Sequence, residues 1–247
     1  MKKSKERKCA LCLQEKELCN SHILPEFFFK PLYDENHRFQ LIPSTNEEKI
    51  YYEQKGIRES LLCEECEEQL SRYERYTSQL FYGGEGVYYT NENPVRIEEI
   101  DYKKFKLFQL SLLFRASVSN LDFFKNVNLG PHEEKIRKML NDEDPGGEND
   151  YPCIILIPET RGRLMSDELI VMPEELNKFE GHRQYRFILG GCFWVYLVSS
   201  HTVMFSFKKF FLKEDGKLLI PIENADRFLN ALAKDMLKFN RKVGGRG

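Results

Sequence analysis

Two Cys-x-x-Cys pairs constrain this 247-residue chain most: Cys9 with Cys12, and Cys63 with Cys66, separated by 50 residues. A Cys-x-x-Cys turn directs two thiolates at one metal ion, and Zn²⁺ prefers a tetrahedron of such ligands at about 2.3 Å. Two turns together therefore predict one site with four cysteine ligands. Because four sulfurs leave no open coordination position, the expected role of the bound Zn²⁺ is structural. The alternative interpretation is that one pair is a redox dithiol.

The three other cysteines, Cys19, Cys153 and Cys192, lack this spacing, and seven thiols cannot all pair within one chain. A disulfide framework is therefore not expected. The first residues, MKKSKERK, are charged and show no secretion signal, and the longest apolar stretch is too short to cross a bilayer. Together these features predict a soluble, reduced, cytoplasmic protein with no membrane partner.

The composition predicts a folded protein, since 41% of the residues are hydrophobic and 13% are aromatic. Charge is unevenly distributed: residues 1–100 contain 14 Lys or Arg and 19 Asp or Glu, whereas residues 101–247 contain 23 and 20. Proteins that grip a phosphate backbone usually present a basic surface. The acidic first part therefore counts against unaided nucleic-acid binding by that part alone.

Between the two cysteine pairs the chain contains the segment Ser-His-Ile-Leu-Pro, which ends at Pro25. Proline disfavours helix in the residue before it, so His22 is expected in an extended or turn segment. The polar stretch 33–54 predicts a loop or short hairpin inserted before the second pair, a place where specificity could reside. Residues 67–81 contain no Gly or Pro and predict a helix directly after the second pair.

This order of a zinc turn, a His-x-x-Pro segment, a second zinc turn and a helix, over residues 9–81, resembles the HNH nucleases. The resemblance implies a ββα-metal (treble-clef) unit that hydrolyses phosphodiester bonds of DNA or RNA. It implies that His22 is the general base and that a Mg²⁺ or Mn²⁺ ion stabilises charge on the scissile phosphate.

The chain departs from the family pattern at three positions: Ser21 replaces an acid, Arg58 an Asn, and Glu67 a His or Asn. Glu67 offers a hard-oxygen ligand for the catalytic ion, with Asn20 or Asp34 as a further ligand. Arg58 is either a surface residue or a phosphate clamp through its planar guanidinium. The candidate catalytic residues are therefore His22, Glu67 and Arg58.

The layout also resembles a group of uncharacterised bacterial proteins that share Cys-x-x-Cys, Ser-His-x-x-Pro and Leu-Cys-x-x-Cys-Glu. HNH-like proteins of bacteria often serve phage defence or mobile elements, so that setting is an expectation by analogy. The rival hypothesis is a noncatalytic, zinc-stabilised module with a degenerate HNH fold that binds a protein or RNA. Under that hypothesis Ser21, Arg58 and Glu67 serve structure, and His22 is a hydrogen-bonded buried histidine.

Residues 1–86 are predicted to form the zinc-binding HNH-like module, and residues 87–247 a domain of helices and antiparallel sheet. The apolar run in 102–125 predicts a helix buried around most of its circumference, in which Arg115 is expected to form an ion pair or to snorkel. A second helix is predicted over 132–140, after Gly-Pro.

Six apolar segments between residues 153 and 220, separated by Gly, Pro and polar residues, predict a mostly antiparallel sheet. The dipeptide Gly190-Gly191 predicts a turn or bulge within it. The predicted class is therefore α+β, with the zinc module followed by helices and sheet.

Overall fold

The computed structural model describes residues 7–41, 51–83, 93–179, 181–200 and 206–228. The fold consists of helices and mostly antiparallel strands, which confirms the α+β class. A cluster of four cysteines lies in the N-terminal part, consistent with a zinc-binding module. None of the helices in the described ranges is both long and apolar enough to span a bilayer.

In residues 7–41 and 51–83, the structure forms three two-stranded antiparallel sheets and one long helix. The strand pairs are β1 (Arg7–Lys8) with β2 (Glu15–Lys16), β3 (Asn20–His22) with β6 (Arg58–Ser60), and β4 (Phe39–Leu41) with β5 (Tyr51–Glu53). The β4–β5 pair is the hairpin predicted within 33–54. Helix α1 (Glu64–Tyr82) includes the predicted 67–81 and ends at Gly83, whose φ of +106° is a left-handed cap that favours glycine.

Within the described ranges, the second part contains two long α-helices, the main sheet and a separate two-stranded pair. Its elements are β7 (Val95–Ile97), α2 (Tyr102–Val118), α3 (Pro131–Asn141), β8 (Cys153–Thr160), β9 (Arg163–Leu164), β10 (Val171–Phe179), β11 (His182–Leu189), β12 (Cys192–Val198), β13 (Leu218–Ile220) and β14 (Ile222–Asn224). The main sheet has the order β10-β11-β12-β8-β14, with β9 also paired to β8. Only β14 runs parallel to its neighbour.

One of the six predicted strands is not confirmed. Most of the segment 203–207 lies outside the described residues, and its last two residues belong to a 3-10 helix, Ser206–Phe210. The predicted turn at Gly190-Gly191 is confirmed as the two-residue loop that joins β11 to β12. Both glycines have positive φ, +56° and +71°, as a tight hairpin loop of this kind requires.

Helix α2 is the central core helix, as its apolar run predicts. Every residue from 105 to 116 is buried. The helix begins at Asp101, whose carboxylate accepts a hydrogen bond from the Lys104 backbone N–H at 3.0 Å. It ends at Val118, earlier than the predicted residue 125, because the Glu59 carboxylate accepts hydrogen bonds from the Ser119 hydroxyl at 2.8 Å and the Asn120 N–H at 3.0 Å.

One hydrophobic core contains residues from both parts of the chain. The Phe28 ring lies 6.0 Å from Trp194 of β12 and 6.4 Å from Phe108 of α2, with centroid distances typical of packed aromatic rings. The predicted domain boundary at residues 86 and 87 falls in 84–92, outside the described residues. Residues on either side of that segment share the same core, so their stabilities are coupled.

Candidate metal centre and the His22 site

The sequence-predicted metal ligands come together in one cluster. The turn between β1 and β2 carries Cys9 and Cys12, and the start of α1 carries Cys63 and Cys66, with all four sulfur atoms within 4.8 Å of one another. The Sγ atoms of Cys12 and Cys63 lie 3.8 Å apart, close to the edge of about 3.8 Å of a tetrahedron with metal–sulfur bonds of about 2.3 Å. This four-cysteine cluster could hold a metal ion such as zinc.

The surroundings of the cluster favour a thiolate. The backbone N–H of Cys63 donates a hydrogen bond to Cys9 Sγ at 3.3 Å. A hydrogen bond with the Cys66 thiol, together with backbone N–H groups, lowers the pKa of Cys9 to about 4 against the opposing effect of burial. Burial raises the pKa of Cys63 to about 11, and the hydrogen bond with Cys9 raises that of Cys66. Because a metal binds thiolates, metal binding here would release the protons of these two thiols.

Contacts from the second part hold the first cysteine turn in place. Arg137 of α3 donates a hydrogen bond to the Leu11 carbonyl oxygen at 2.7 Å. Within the N-terminal part, the Ala10 N–H donates to the Leu61 carbonyl oxygen at 3.1 Å. The first hydrogen bond anchors the first cysteine turn to α3, and the second joins it to the chain just before Cys63, independently of a metal ion.

His22 lies at the end of β3, directly opposite Arg58 in the register with β6. The chain turns at Pro25 into a short 3-10 helix, Glu26–Phe28, and this turn returns the Glu26 carboxylate to the imidazole. His22 Nε2 and Glu26 Oε2 lie 2.6 Å apart, although their angles fall outside the hydrogen-bond range. The structure thus forms a His–Glu pair that the sequence reasoning missed.

Two further side chains, Tyr33 and Arg58, contact the Glu26 carboxylate. Tyr33 Oη donates a hydrogen bond to Oε1 at 2.5 Å, and an Arg58 guanidinium nitrogen lies 3.8 Å from Oε2. A Cβ on Gly56 would lie 3.1 Å from Oε2 and 2.9 Å from the Phe29 ring, so a larger residue there would displace the carboxylate. The sequence does contain a signal for the position of Glu26, since this acid directly follows Pro25. Proline often begins a short helical turn, and acids are favoured in the first turn of a helix.

Burial lowers the pKa of His22, and the positive charge of Arg58 lowers it further, while the Glu26 carboxylate opposes both effects. The imidazole side chain is 21% exposed, so solvent still reaches it. His22 is therefore neutral near pH 7 and able to accept a proton.

Replacing Glu26 by Gln should lower the His22 pKa further, because the substitution removes the negative charge that stabilises the imidazolium. The measurement is an NMR titration of the His22 ring protons in the wild type and in Glu26→Gln. Glu35→Gln, which removes an exposed acid from the neighbouring loop, is the matched control and should leave the titration unchanged. A His22 pKa that rises or stays constant in Glu26→Gln would contradict the pairing.

Glu67 lies on the side of β3 that Ser21 occupies. Ser21 is buried and its Oγ accepts a hydrogen bond from the Leu62 N–H at 3.0 Å. Burial raises the pKa of Glu67, while the Ser21 hydroxyl and the charge of Arg115 oppose the rise. Glu67 Oε1 is buried and has no hydrogen-bond partner among the described residues. Because neighbouring strand residues face opposite ways, His22 and Ser21 direct their side chains to different faces of β3.

Arg115 connects α2 to the same region. Its guanidinium is 1% exposed, and one terminal nitrogen lies 2.7 Å from both the His22 carbonyl oxygen and Glu74 Oε1. The Nε–H also donates to the Ser111 carbonyl oxygen at 3.3 Å. The expected ion pair of Arg115 is confirmed, and its partner is Glu74 of α1.

A catalytic divalent ion would find few protein ligands here. In the described part of the chain, only the four cysteines bring three or more potential metal-ligand atoms together. Of the expected further ligands, Asn20 is exposed on β3, and Asp34 is engaged by Arg38 through Oδ2 at 2.9 and 3.1 Å. Glu67 Oε1 lies buried on the side of the Ser21 hydroxyl, so a hydrated ion and a substrate phosphate reach this atom only if the carboxylate rotates outward.

Comparisons of this chain with protein-family models, with curated proteins and with solved structures found no match.

Proposed function

We propose that this protein is an HNH-like phosphodiester hydrolase that acts on DNA or RNA and is assisted by a divalent ion, Mg²⁺ or Mn²⁺. The observation that carries the proposal is the neutral, partly exposed imidazole of His22 at 2.6 Å from the Glu26 carboxylate, at the end of β3 and beside Arg58. A nuclease of this type needs a base for water and a cation for phosphate, and these side chains supply both.

The order of elements supports the assignment. Strand β3 is followed by the inserted β4–β5 hairpin, then by its antiparallel partner β6 and by helix α1, whose start contributes two of the four cysteines. This is the ββα order that the sequence resemblance implies. In this scheme the ion at the cluster is structural, because its four sulfur ligands leave no coordination position for substrate.

His22 takes the role of general base. The Glu26 carboxylate lies next to Nε2 and so favours the tautomer that carries its proton there, which leaves Nδ1 as the proton acceptor. Water attacks the phosphorus as Nδ1 accepts its proton, the bond from phosphorus to the leaving sugar oxygen breaks, and that oxygen takes a proton from solvent. The imidazolium that forms is stabilised by the Glu26 carboxylate, which in turn is held by the Tyr33 hydroxyl.

Arg58 is the candidate phosphate ligand. It lies opposite His22 in the strand register, and its Nε is a buried donor without a hydrogen-bond partner among the described residues. A planar guanidinium can donate two hydrogen bonds to phosphate oxygens, which would place the phosphorus near the base.

Glu67 would be the carboxylate ligand of a divalent ion. It lies with Ser21 on the opposite face of β3 from His22, so binding of the ion requires the carboxylate to rotate to the strand edge where the phosphate would bind. When bound, such an ion stabilises negative charge on the phosphate and on the leaving oxygen. The family's strand acid is Ser21 in this chain, and Glu67 supplies a carboxylate from the helix instead.

The test is cleavage of plasmid DNA and of single-stranded RNA by the purified full chain, with Mg²⁺, with Mn²⁺ and with a chelator that leaves the metal of the four-cysteine cluster bound. We expect His22→Ala to lower the cleavage rate about 100-fold or more, since general-base catalysis contributes about 10²- to 10⁴-fold. His132→Ala, a histidine on α3 away from this site, is the matched control and should cleave like the wild type.

Equal cleavage by wild type and His22→Ala would exclude His22 as the base. Absence of cleavage by the folded, metal-loaded wild type would instead favour the noncatalytic alternative, a zinc-stabilised module that binds protein or RNA. One observation favours that alternative: the Arg115 guanidinium already pairs with Glu74, and its positive charge opposes the rise that burial causes in the pKa of Glu67. The charge of Arg115 therefore already serves these carboxylates without a metal ion.

A further inference from the structure

The insertion between β3 and β6 displays two flat π-systems at the protein surface. The Tyr33 and His37 rings are stacked, with centroids 4.0 Å apart and an interplanar angle of 21°. The Arg38 guanidinium lies over the Tyr52 ring at 4.7 Å, and Tyr52 remains 52% exposed. We call these four residues, Tyr33, His37, Arg38 and Tyr52, the insertion platform.

A turn closed by Asp34 holds the platform in its conformation. Asp34 Oδ1 accepts hydrogen bonds from the backbone N–H groups of Asn36 at 2.9 Å and Arg38 at 2.8 Å. Its Oδ2 accepts two more from the Arg38 guanidinium. From β4, the Gln40 side chain donates to Tyr52 Oη at 3.1 Å. A surface that is already ordered loses little conformational entropy when a ligand binds.

The platform is connected directly to the His22 site. Tyr33 contributes its ring to the stack and its hydroxyl to Glu26, whose other oxygen faces His22 at 2.6 Å. The Tyr33 ring also makes a T-shaped contact with Phe39 of the core, with centroids 5.9 Å apart. A ligand on the platform would therefore lie beside the groups assigned to phosphate hydrolysis.

The charge of the region indicates which kind of contact dominates. Residues 26–58 contain five Lys or Arg and six Asp or Glu side chains. A near-neutral surface of this kind cannot bind a nucleic-acid backbone mainly by charge. It can bind a base by stacking, which requires a base face that is not covered by neighbours in a duplex.

We propose that the insertion platform binds an unpaired nucleobase, so that the substrate of the His22 site is a single-stranded DNA or RNA segment. This inference rests on the proposed function for its catalytic meaning. Tyr52 and the His37–Tyr33 stack bind base faces, and Arg58 binds the phosphate next to the bound nucleotide. Duplex DNA offers phosphates but no free base faces, so it binds more weakly.

The experiment measures binding by the full chain carrying His22→Ala, without divalent ions, so that no probe is cut. The probes are a short single-stranded DNA and a single-stranded RNA, each containing one 2-aminopurine whose fluorescence falls on stacking, and the DNA annealed to its complement. Tyr52→Ala should weaken single-strand binding about fivefold or more, the lower limit expected for one stacked base. Tyr52→Phe keeps the ring and should bind like the parent.

Tyr82→Ala, which removes another exposed tyrosine from the end of α1, is the control and should also bind like the parent. We expect single-strand binding to weaken only slightly with salt. The logarithm of the association constant should fall with the logarithm of the salt concentration with a slope of about −0.7, because one phosphate contact is proposed. Unchanged affinity in Tyr52→Ala, or tighter binding of the duplex, overturns the inference. Loss of binding in Tyr52→Ala with no cleavage by the wild type would retain the platform and reject the proposed hydrolysis.

Discussion

Removing the metal ion from the four-cysteine cluster is expected to unfold the N-terminal part and to lower the thermal stability of the whole chain. The elements around the cluster are short: β1 and β2 have two residues each, and β3 and β6 have three. Such strands bury too little surface to be stable alone. In zinc-finger peptides, a structural Zn²⁺ contributes about 10–16 kcal/mol of apparent free energy, and that energy is folding energy.

Cys63→Ser should therefore lose the metal, lose part of the helical circular dichroism signal and melt at a lower temperature. Because Phe28 packs on Trp194 and Phe108 in the shared core, unfolding of the N-terminal part would also expose core side chains of the second part to water. The measurements are zinc content, circular dichroism and thermal melting. Cys19→Ser is the control, since Cys19 lies outside the cluster, and it should retain one zinc per chain. Retention of metal and melting temperature in Cys63→Ser would contradict the assignment.

Arg115→Met is expected to destabilise the chain by about 3–5 kcal/mol, the usual cost of removing one partner of a buried ion pair. The guanidinium is 1% exposed, and its removal leaves Glu74 and the His22 carbonyl oxygen without their donor. Methionine preserves much of the side-chain volume of Arg115. The loss of folding stability therefore reports on the polar contacts of the guanidinium and not on a cavity.

Urea denaturation followed by circular dichroism is the appropriate measurement for this comparison. Arg72→Met is the matched control, because Arg72 pairs with Glu143 at 2.9 Å on the surface, and it should cost about 1 kcal/mol or less. The double variant Arg115→Met with Glu74→Gln should recover part of the stability, since it removes the unpaired charge. Equal losses in Arg115→Met and Arg72→Met would show that the buried pair contributes no more than a surface one.

Local sequence patterns predicted most of the architecture. The four-cysteine cluster followed from spacing alone, because a Cys-x-x-Cys turn places its sulfurs irrespective of the remaining fold. Helix α2 followed from its apolar run, and the β11–β12 turn from Gly190-Gly191. The end of α2 was missed, because Glu59, some 60 positions earlier, offers its carboxylate to Ser119 and Asn120.

The candidate site could be predicted only in part. His22, Glu67 and Arg58 were identified from a motif, and the register of β3 with β6 places His22 beside Arg58. Glu26 was missed although it lies four residues after His22, since the turn at Pro25 and the small Gly56 together bring its carboxylate to the imidazole. Asp34, a predicted metal ligand, instead closes the turn that orders the platform.

The cysteine cluster, the α+β class and the main helices could be predicted from local patterns, because turn geometry, apolar spacing and helix-ending residues act over a few positions. Which charges meet depends instead on the packing of distant elements. Arg115 and the His22 carbonyl oxygen are 93 residues apart in sequence, and Tyr33, Glu26 and His22 converge through a folded turn. Such contacts depend on how the shared core packs, and no local pattern encodes the position of a side chain that arrives from another element.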